Sequence, residues 1–315
     1  MPENLHLLVP YAACTPPGCQ QALQTLQLPH LQRLLGQWQV AHSHLAEETS
    51  RTPPHEHALA QALGLPTDDG RIPWAAWHHH QAGHATGDAA WAWVTPCQWQ
   101  VGADHVTMGH PDALGLDEAA SRSLLDVVAP WFAQDDLHLQ YVSPTRWLAH
   151  GPLLQGLATT SLDRVLQRDV RPWMPDPTQA RPLHRLHSEM QMLLYTHPYN
   201  DTRAAQGLPP INAFWVHGAG ALPTPPTSAT PPTTDERLRT PALQENWEAW
   251  AQVWQALDAG PVADLLQKAS QGHSVRLTLC GERGHTTWHN APRSLGQKIQ
   301  SFLRPYRSID KLFKL

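Results

Sequence analysis

The chain has 315 residues, 22 of them Lys or Arg and 27 Asp or Glu, for a formal net charge of -5. That balance, with only four lysines (Lys268, Lys298, Lys311 and Lys314), leaves no electrostatic footprint for nucleic acid or an anionic membrane surface. The four cysteines, Cys14, Cys19, Cys97 and Cys280, form no C-x-x-C pair and no metal-ligand spacing, so a reducing cytoplasm is the expected setting.

The length suits one large α/β domain or a core plus a smaller inserted domain. The start of the chain, MPENLHLLVPYAAC, lacks a cationic leader segment and is not expected to be a signal peptide. Leu5 to Val9 is a short apolar run stopped by Pro10 and reads as a buried strand. Residues 20–40 follow a helical pattern (Leu23, Leu26, Leu31, Leu34, Leu35) broken at Pro29, and 41–54 read as polar loop. His55 to Gly64 predicts a helix with Gly64 as its C-cap. Turns over 65–90 lead to strands at Trp91–Val94 and Trp99–Met108, separated by Pro96. Asp117 caps a helix ending near Phe132, and Leu137–Val142 alternates as a strand whose continuation reaches Trp147. Leu183–Tyr195 is an amphipathic helix, and Ala213–Val216 a strand entering Gly218–Gly220. Residues 222–241 are dense in Pro and Thr and read as a flexible loop. Leu243–Leu257 carries a tryptophan stripe (Trp247, Trp250, Trp254) at core spacing, Ser274–Cys280 is a last strand, and a basic helical tail begins at Pro292. Alternating strands and helices predict an α/β fold with a mostly parallel sheet.

The segment His197–Gly220, HPYNDTRAAQGLPPINAFWVHGAG, is the most informative. Its Pro and Gly residues fix the backbone, and its Asn and Arg residues supply donors suited to an anion-binding loop. His197, Pro198, Asn200, Arg203, Gly207, Pro210, Asn212, Gly218 and Gly220 stand at the spacing of a His-Pro-Val-Asn, Arg, Gly-x-x-Pro-Ala-Asn, Gly-x-Gly sequence. On these positions the chain resembles the archaeal-type cofactor-independent phosphoglycerate mutases of the alkaline-phosphatase-like superfamily. Weaker matches in the same order include Pro54–Leu65, Gly70-Arg71-Ile72-Pro73, Gly87-Asp88 and Thr145-Arg146. The runs SEMQMLLYTHPYNDTRAAQGLPPINAFW and Asp104–Met108 (DHVTM) are more similar still to a bacterial offshoot, the RpfE-type regulatory proteins. The resemblance implies an alkaline-phosphatase-like core over 1–94 and 216–315, with an inserted substrate subdomain over 95–215.

Members of that superfamily move phosphate with two divalent ions held by Asp and His beside a Ser or Thr nucleophile. Here Tyr11 and Thr15 fall where the first strand's carboxylates belong, His55 where the nucleophile belongs, and Glu282 and Arg283 where a late Asp-His belongs. A guanidinium stays protonated and repels a metal ion. The resemblance therefore implies a protein without the phosphotransfer centre and without a cofactor, binding a phosphorylated metabolite or a regulatory protein partner. Its ligand-binding candidates are Arg146, His197, Asn200, Arg203 and Asn212. The alternative is an active mutase or phosphatase with relocated metal ligands, His55, Glu56 and His57, using manganese or zinc.

The chain has 21 histidines, densest at His78, His79, His80 and His84. His80 and His84 share an i, i+4 spacing, but neither an H-E-x-x-H pattern nor a third paired ligand accompanies them. Surface and half-buried histidine is the expectation. Gly218-Ala219-Gly220 alone is a weak phosphate-loop signal, and no Walker A or nucleophile-elbow motif occurs.

Overall fold

The computed structural model describes residues 5–226, 230–291 and 312. The expected basic tail from Pro292 lies outside the described residues except at Leu312. The strands are β1 (Leu5–Val9), β2 (Gln39–Leu45), β3 (Ala90–Cys97), β4 (Trp99–Val101), β5 (Val106–Met108), β6 (His138–Ser143), β7 (Arg146–His150), β8 (Ala213–Ala221), β9 (Thr233–Thr234), β10 (Val275–Cys280) and β11 (Gly284–His289). Among the described residues, no helix is long and apolar enough to cross a membrane.

The chain divides into two compact units. The first holds the described residues within Met1–Thr49, Pro53–Gly64 and Ser228–Leu315. Its sheet has the order β2-β11-β10-β1-β9. β1 runs parallel to β10 and β9, while β10–β11 and β11–β2 are antiparallel. The fold is thus mixed α/β, and its sheet is mixed rather than mostly parallel. The cause is local: Gly281-Glu282-Arg283-Gly284 closes a tight turn, with the Gly281 N–H donating to the Gly284 carbonyl at 2.8 Å, so the chain reverses where a last strand was expected.

Strand alternation gives this sheet two unlike faces. Leu7, Val9, Val275, Leu277, Leu279 and Trp288 pack with Leu23, Leu34, Trp250, Trp254 and Leu257 from the helices on one side. The Trp-bearing helix spans Trp247–Leu257, with Asn246 as its N-cap, and buries Trp250 and Trp254 completely. Those two rings are core, so they offer no surface to a partner. The other face carries a polar row, in which His6 Nε2 lies 2.7 Å from Thr278 Oγ1 and Thr278 Oγ1 lies 2.7 Å from Thr287 Oγ1. The helix Pro54–Leu63 packs on this second face through Ala58, against Leu8 and Cys280.

The second unit holds Ser50–Thr52 and Leu65–Thr227. Its sheet, β6-β7-β3-β8, is antiparallel throughout. Ala92, Val94, Trp147, Ala149, Phe214 and Val216 pack with Leu124, Val128 and Phe132 of helix Glu118–Ala133 and Leu186, Met190 and Leu194 of helix Arg181–Thr196. Helix Trp74–Gln81 meets the other face, His78 lying against Trp93 and His79 against Trp91. β3 is hydrogen-bonded to both β7 and β8, so the units part at 64/65 and 227/228 rather than at 94/95 and 215/216. The inserted unit is consequently not the smaller one.

Other differences from the sequence reading are also local. β2 occupies part of the stretch read as loop, because an exposed edge strand needs few apolar residues. Trp99–Met108 is a hairpin, β4 and β5, rather than one strand. The Pro/Thr-rich segment is not structureless: β9 pairs with β1, and short helices follow at Glu236–Leu238 and Arg239–Leu243.

Candidate functional site

The positions singled out for the reaction centre lie in the first unit, on the loops after β1 and β10 and at the start of helix Pro54–Leu63. Tyr11 follows β1 with φ 56°, a left-handed conformation rare for a bulky residue. Its neighbours hold it there. The Trp250 indole donates to the Tyr11 carbonyl at 2.9 Å, the Trp254 indole to the Ala12 carbonyl at 3.1 Å, and the Ala12 N–H to the Cys280 carbonyl at 2.8 Å. Its ring faces His55 with centroids 5.5 Å apart. The Thr15 N–H donates to Glu282 Oε2 at 3.0 Å, and the Thr15 hydroxyl donates to the same oxygen. The Arg283 guanidinium donates to Glu48 Oε1 at 3.1 Å.

His57 does not join His55 and Glu56 as one ligand set. Its Nδ1 lies 2.9 Å from His285 Nε2, and its ring stacks on His44 at 3.8 Å and 5°. His42 adds a fourth ring 5.7 Å from His285. His285 is fully buried, and burial first, then the neighbouring imidazoles of His57, His44 and His42, push its pKa down to about 3. Burial and His42 also lower His44. His42, His44 and His285 escaped sequence reading because their signal is strand spacing: His42-x-His44 puts two imidazoles on one face of β2, and His285 pairs with His44 across β11.

Tyr11 and Thr15 supply no carboxylate, Glu282 accepts twice from Thr15, and Arg283 brings a fixed positive charge. Among the described residues, no group of three or more His, Cys, Asp or Glu is disposed to hold a metal ion.

The metabolite candidates lie in the second unit, and four of the five are engaged with backbone. Asn200 Nδ2 donates to the Leu194 and Ile211 carbonyls, each at 2.8 Å, and its Oδ1 accepts from the Ile211 N–H at 2.9 Å. The Arg203 guanidinium, 3% exposed, donates to the Pro209 carbonyl at 2.9 Å and to the Leu114 carbonyl. Asn212 brackets Trp99, accepting from its N–H at 2.7 Å and donating to its carbonyl at 2.9 Å. His197 caps helix Pro198–Ala205, its Nδ1 accepting from the Tyr199 N–H at 3.1 Å. Arg146 differs. It is exposed on the sheet face, its guanidinium 5.3 Å from the Trp93 ring centroid. Burial, then the Arg146 charge, lowers His78 and takes His217 to about 3, so both imidazoles stay neutral beside it.

Two further motifs resolve into packing. Gly218 has φ 61°, and a Cβ there would stand 3.0 Å from Trp74 Cβ, so the Gly-x-Gly admits helix Trp74–Gln81 against β8. In the histidine-rich stretch, His79 stacks on His84 at 4.6 Å and His80 turns toward Trp77. The helix ends at Gln81, which breaks the i, i+4 relation of His80 and His84.

No protein-family model matches the chain, and no curated protein matches it. Among solved structures, it is similar to the cofactor-independent phosphoglycerate mutase from Thermoplasma acidophilum DSM 1728, at 14% identity and a TM-score of 0.39, over 100% of this chain and 99% of that one. It is also similar to the PH0037 protein from Pyrococcus horikoshii, at 11% identity and a TM-score of 0.44, over 92% of this chain and 88% of that one.

Proposed function

We propose that this chain is a cytoplasmic, phosphoglycerate-mutase-like protein of the alkaline-phosphatase-like superfamily that has lost the two-metal phosphotransfer centre. It works as a regulatory or metabolite-binding protein, related to the RpfE type, and needs no metal cofactor. One observation carries the reading. Where the resemblance requires acidic and imidazole ligands, the strand ends present Tyr11, Thr15, Glu282 and Arg283, with Glu282 bonded to Thr15 and Arg283 to Glu48. Phosphoryl transfer needs concentrated positive charge from metal ions on the leaving oxygens, and these residues do not gather it.

The metabolite is a phosphorylated acid, and Arg146, flanked by His78 and His217, is its anchor. Calorimetry with 3-phosphoglycerate tests this. Saturable heat in the parent, at least tenfold weaker in Arg146→Ala, supports the assignment. Equal binding by the two proteins, or no heat in either, removes it. An assay for conversion of 3-phosphoglycerate with added manganese separates this reading from the active-enzyme alternative with His55, Glu56 and His57 as ligands, because turnover belongs to the alternative alone.

A further inference from the structure

The loop that leads away from Tyr11 carries two thiols whose relationship the sequence spacing conceals. Cys14 and Cys19 are separated by Thr15-Pro16-Pro17-Gly18, and the two prolines turn the chain sharply into helix Pro17–Thr25. Cys19 enters the helix in its first turn. The Cys14 N–H donates to Cys19 Sγ at 3.3 Å, so the turn brings the second sulfur back onto the first cysteine. Gln20 Nε2 donates back to the Cys14 carbonyl at 2.6 Å, which fixes the turn. Cys19 is fully buried, whereas Cys14 keeps 9% exposure. The other two cysteines, Cys97 and Cys280, are fully buried.

We propose that Cys14 and Cys19 are a redox pair, closing to an intramolecular disulfide on exposure to a peroxide and reopening with a dithiol reductant. The geometry supplies what such a pair needs: a Cys19 sulfur folded back to 3.3 Å from the Cys14 backbone N–H, its place in the first turn of a helix, and a partner, Cys14, that is the less buried of the two. The hydrogen bond from Cys14 holds the Cys19 thiol below the usual range, against burial, with the Cys14 N–H adding to the lowering and Glu282 opposing it. Cys97 and Cys280 have the opposite setting, since burial pushes both thiols up.

Cys14 sulfur attacks one peroxide oxygen, the O–O bond breaks, and the departing hydroxide takes the Cys14 proton to leave as water. Cys14 is then a sulfenic acid. Cys19 sulfur attacks the Cys14 sulfur, the S–O bond breaks, and the hydroxide leaves as a second water with the Cys19 proton. Two thiols are oxidised to one disulfide, and one peroxide is reduced to two waters. The bridge encloses Thr15, so the Thr15–Glu282 contact sits inside the loop that oxidation ties down.

The test uses the parent 315-residue chain. Reduced protein is treated with hydrogen peroxide, denatured, capped with iodoacetamide and digested with trypsin. Met1–Arg33 contains no internal Lys or Arg, so Cys14 and Cys19 travel in one peptide. The expected product is that peptide uncapped and lighter by two hydrogens, restored by a dithiol reductant, with Cys97 and Cys280 fully capped. Cys14→Ser and Cys19→Ser should each abolish the lighter product. Three results overturn the proposal: both cysteines still capped after oxidation, overoxidation to sulfinic acid in place of the bridge, or a bridge to Cys97, Cys280 or a second chain. The outcome does not depend on whether the protein binds a phosphorylated acid.

Discussion

Replacing Asn200 with Ala separates a structural clamp from a ligand contact. The amide joins the exit of helix Arg181–Thr196 to the approach of β8 through two donated bonds and one accepted bond, at 2.8, 2.8 and 2.9 Å. A net hydrogen bond contributes about 1 kcal/mol, so losing all three costs about 3 kcal/mol. The site is half-buried, and water can reach some of the stranded backbone groups, which widens the expectation to about 2–3 kcal/mol. Asn200→Asp keeps the acceptor for the Ile211 N–H but sets a carboxylate against two carbonyls, so it should be no better tolerated. Urea unfolding followed by near-ultraviolet circular dichroism gives the stability change. Hydrogen exchange at the Ile211 amide, which donates to Asn200 Oδ1, localises it. A variant within about 0.5 kcal/mol of the parent that has nonetheless lost 3-phosphoglycerate binding would refute the reasoning and make Asn200 a ligand contact.

Gly218→Ala should destabilise the second unit by about 1–3 kcal/mol, since the new methyl meets Trp74 Cβ at 3.0 Å on a left-handed backbone; thermal unfolding measures it. Acid should weaken both units through their buried and half-buried imidazoles. The pKa values of His285, His187 and His217 fall from 6.5 to about 3, and that of His6 to about 4. The unfolded chain therefore binds more protons between these values and 6.5, so the stability these groups allow is complete above pH 6.5 and is lost as pH falls toward 3. Urea midpoints between pH 7 and 4 should drop, and His285→Gln should flatten the first unit's share of that slope. A slope unchanged in His285→Gln would exclude His285 as its source.

Legibility in the sequence followed the kind of signal each element gives. Buried strands and amphipathic helices announce themselves by apolar period, so β1, β10 and helices Glu118–Ala133 and Arg181–Thr196 were readable. β2 was not, because its exposed sequence QVAHSHL reads as polar loop until β11 is seen beside it. Strand direction is a tertiary property: nothing in VRLTLC tells it to pair parallel with β1, and the Gly-framed turn after it, which reverses the chain into β11, was taken for the end of a last strand. At the site, residue types were readable and their partners were not. Asn200, Arg203 and Asn212 have the donors of an anion loop, yet Pro209, Ile211 and Trp99 backbone groups claim them, a choice that depends on chain closure over long separations. The His57–His285 contact joins residues more than two hundred positions apart and has no local trace.

Whether the strand ends hold metal ions separates a binding protein from an active mutase. Manganese titration of protein freed of metal, read by calorimetry and by elemental analysis after dialysis, measures that directly, with 3-phosphoglycerate conversion followed on the same sample. No stoichiometric manganese or zinc and no conversion are expected, because Glu282 is bonded to Thr15 and Arg283 to Glu48. Two equivalents of tightly held metal together with turnover of 3-phosphoglycerate would contradict that expectation.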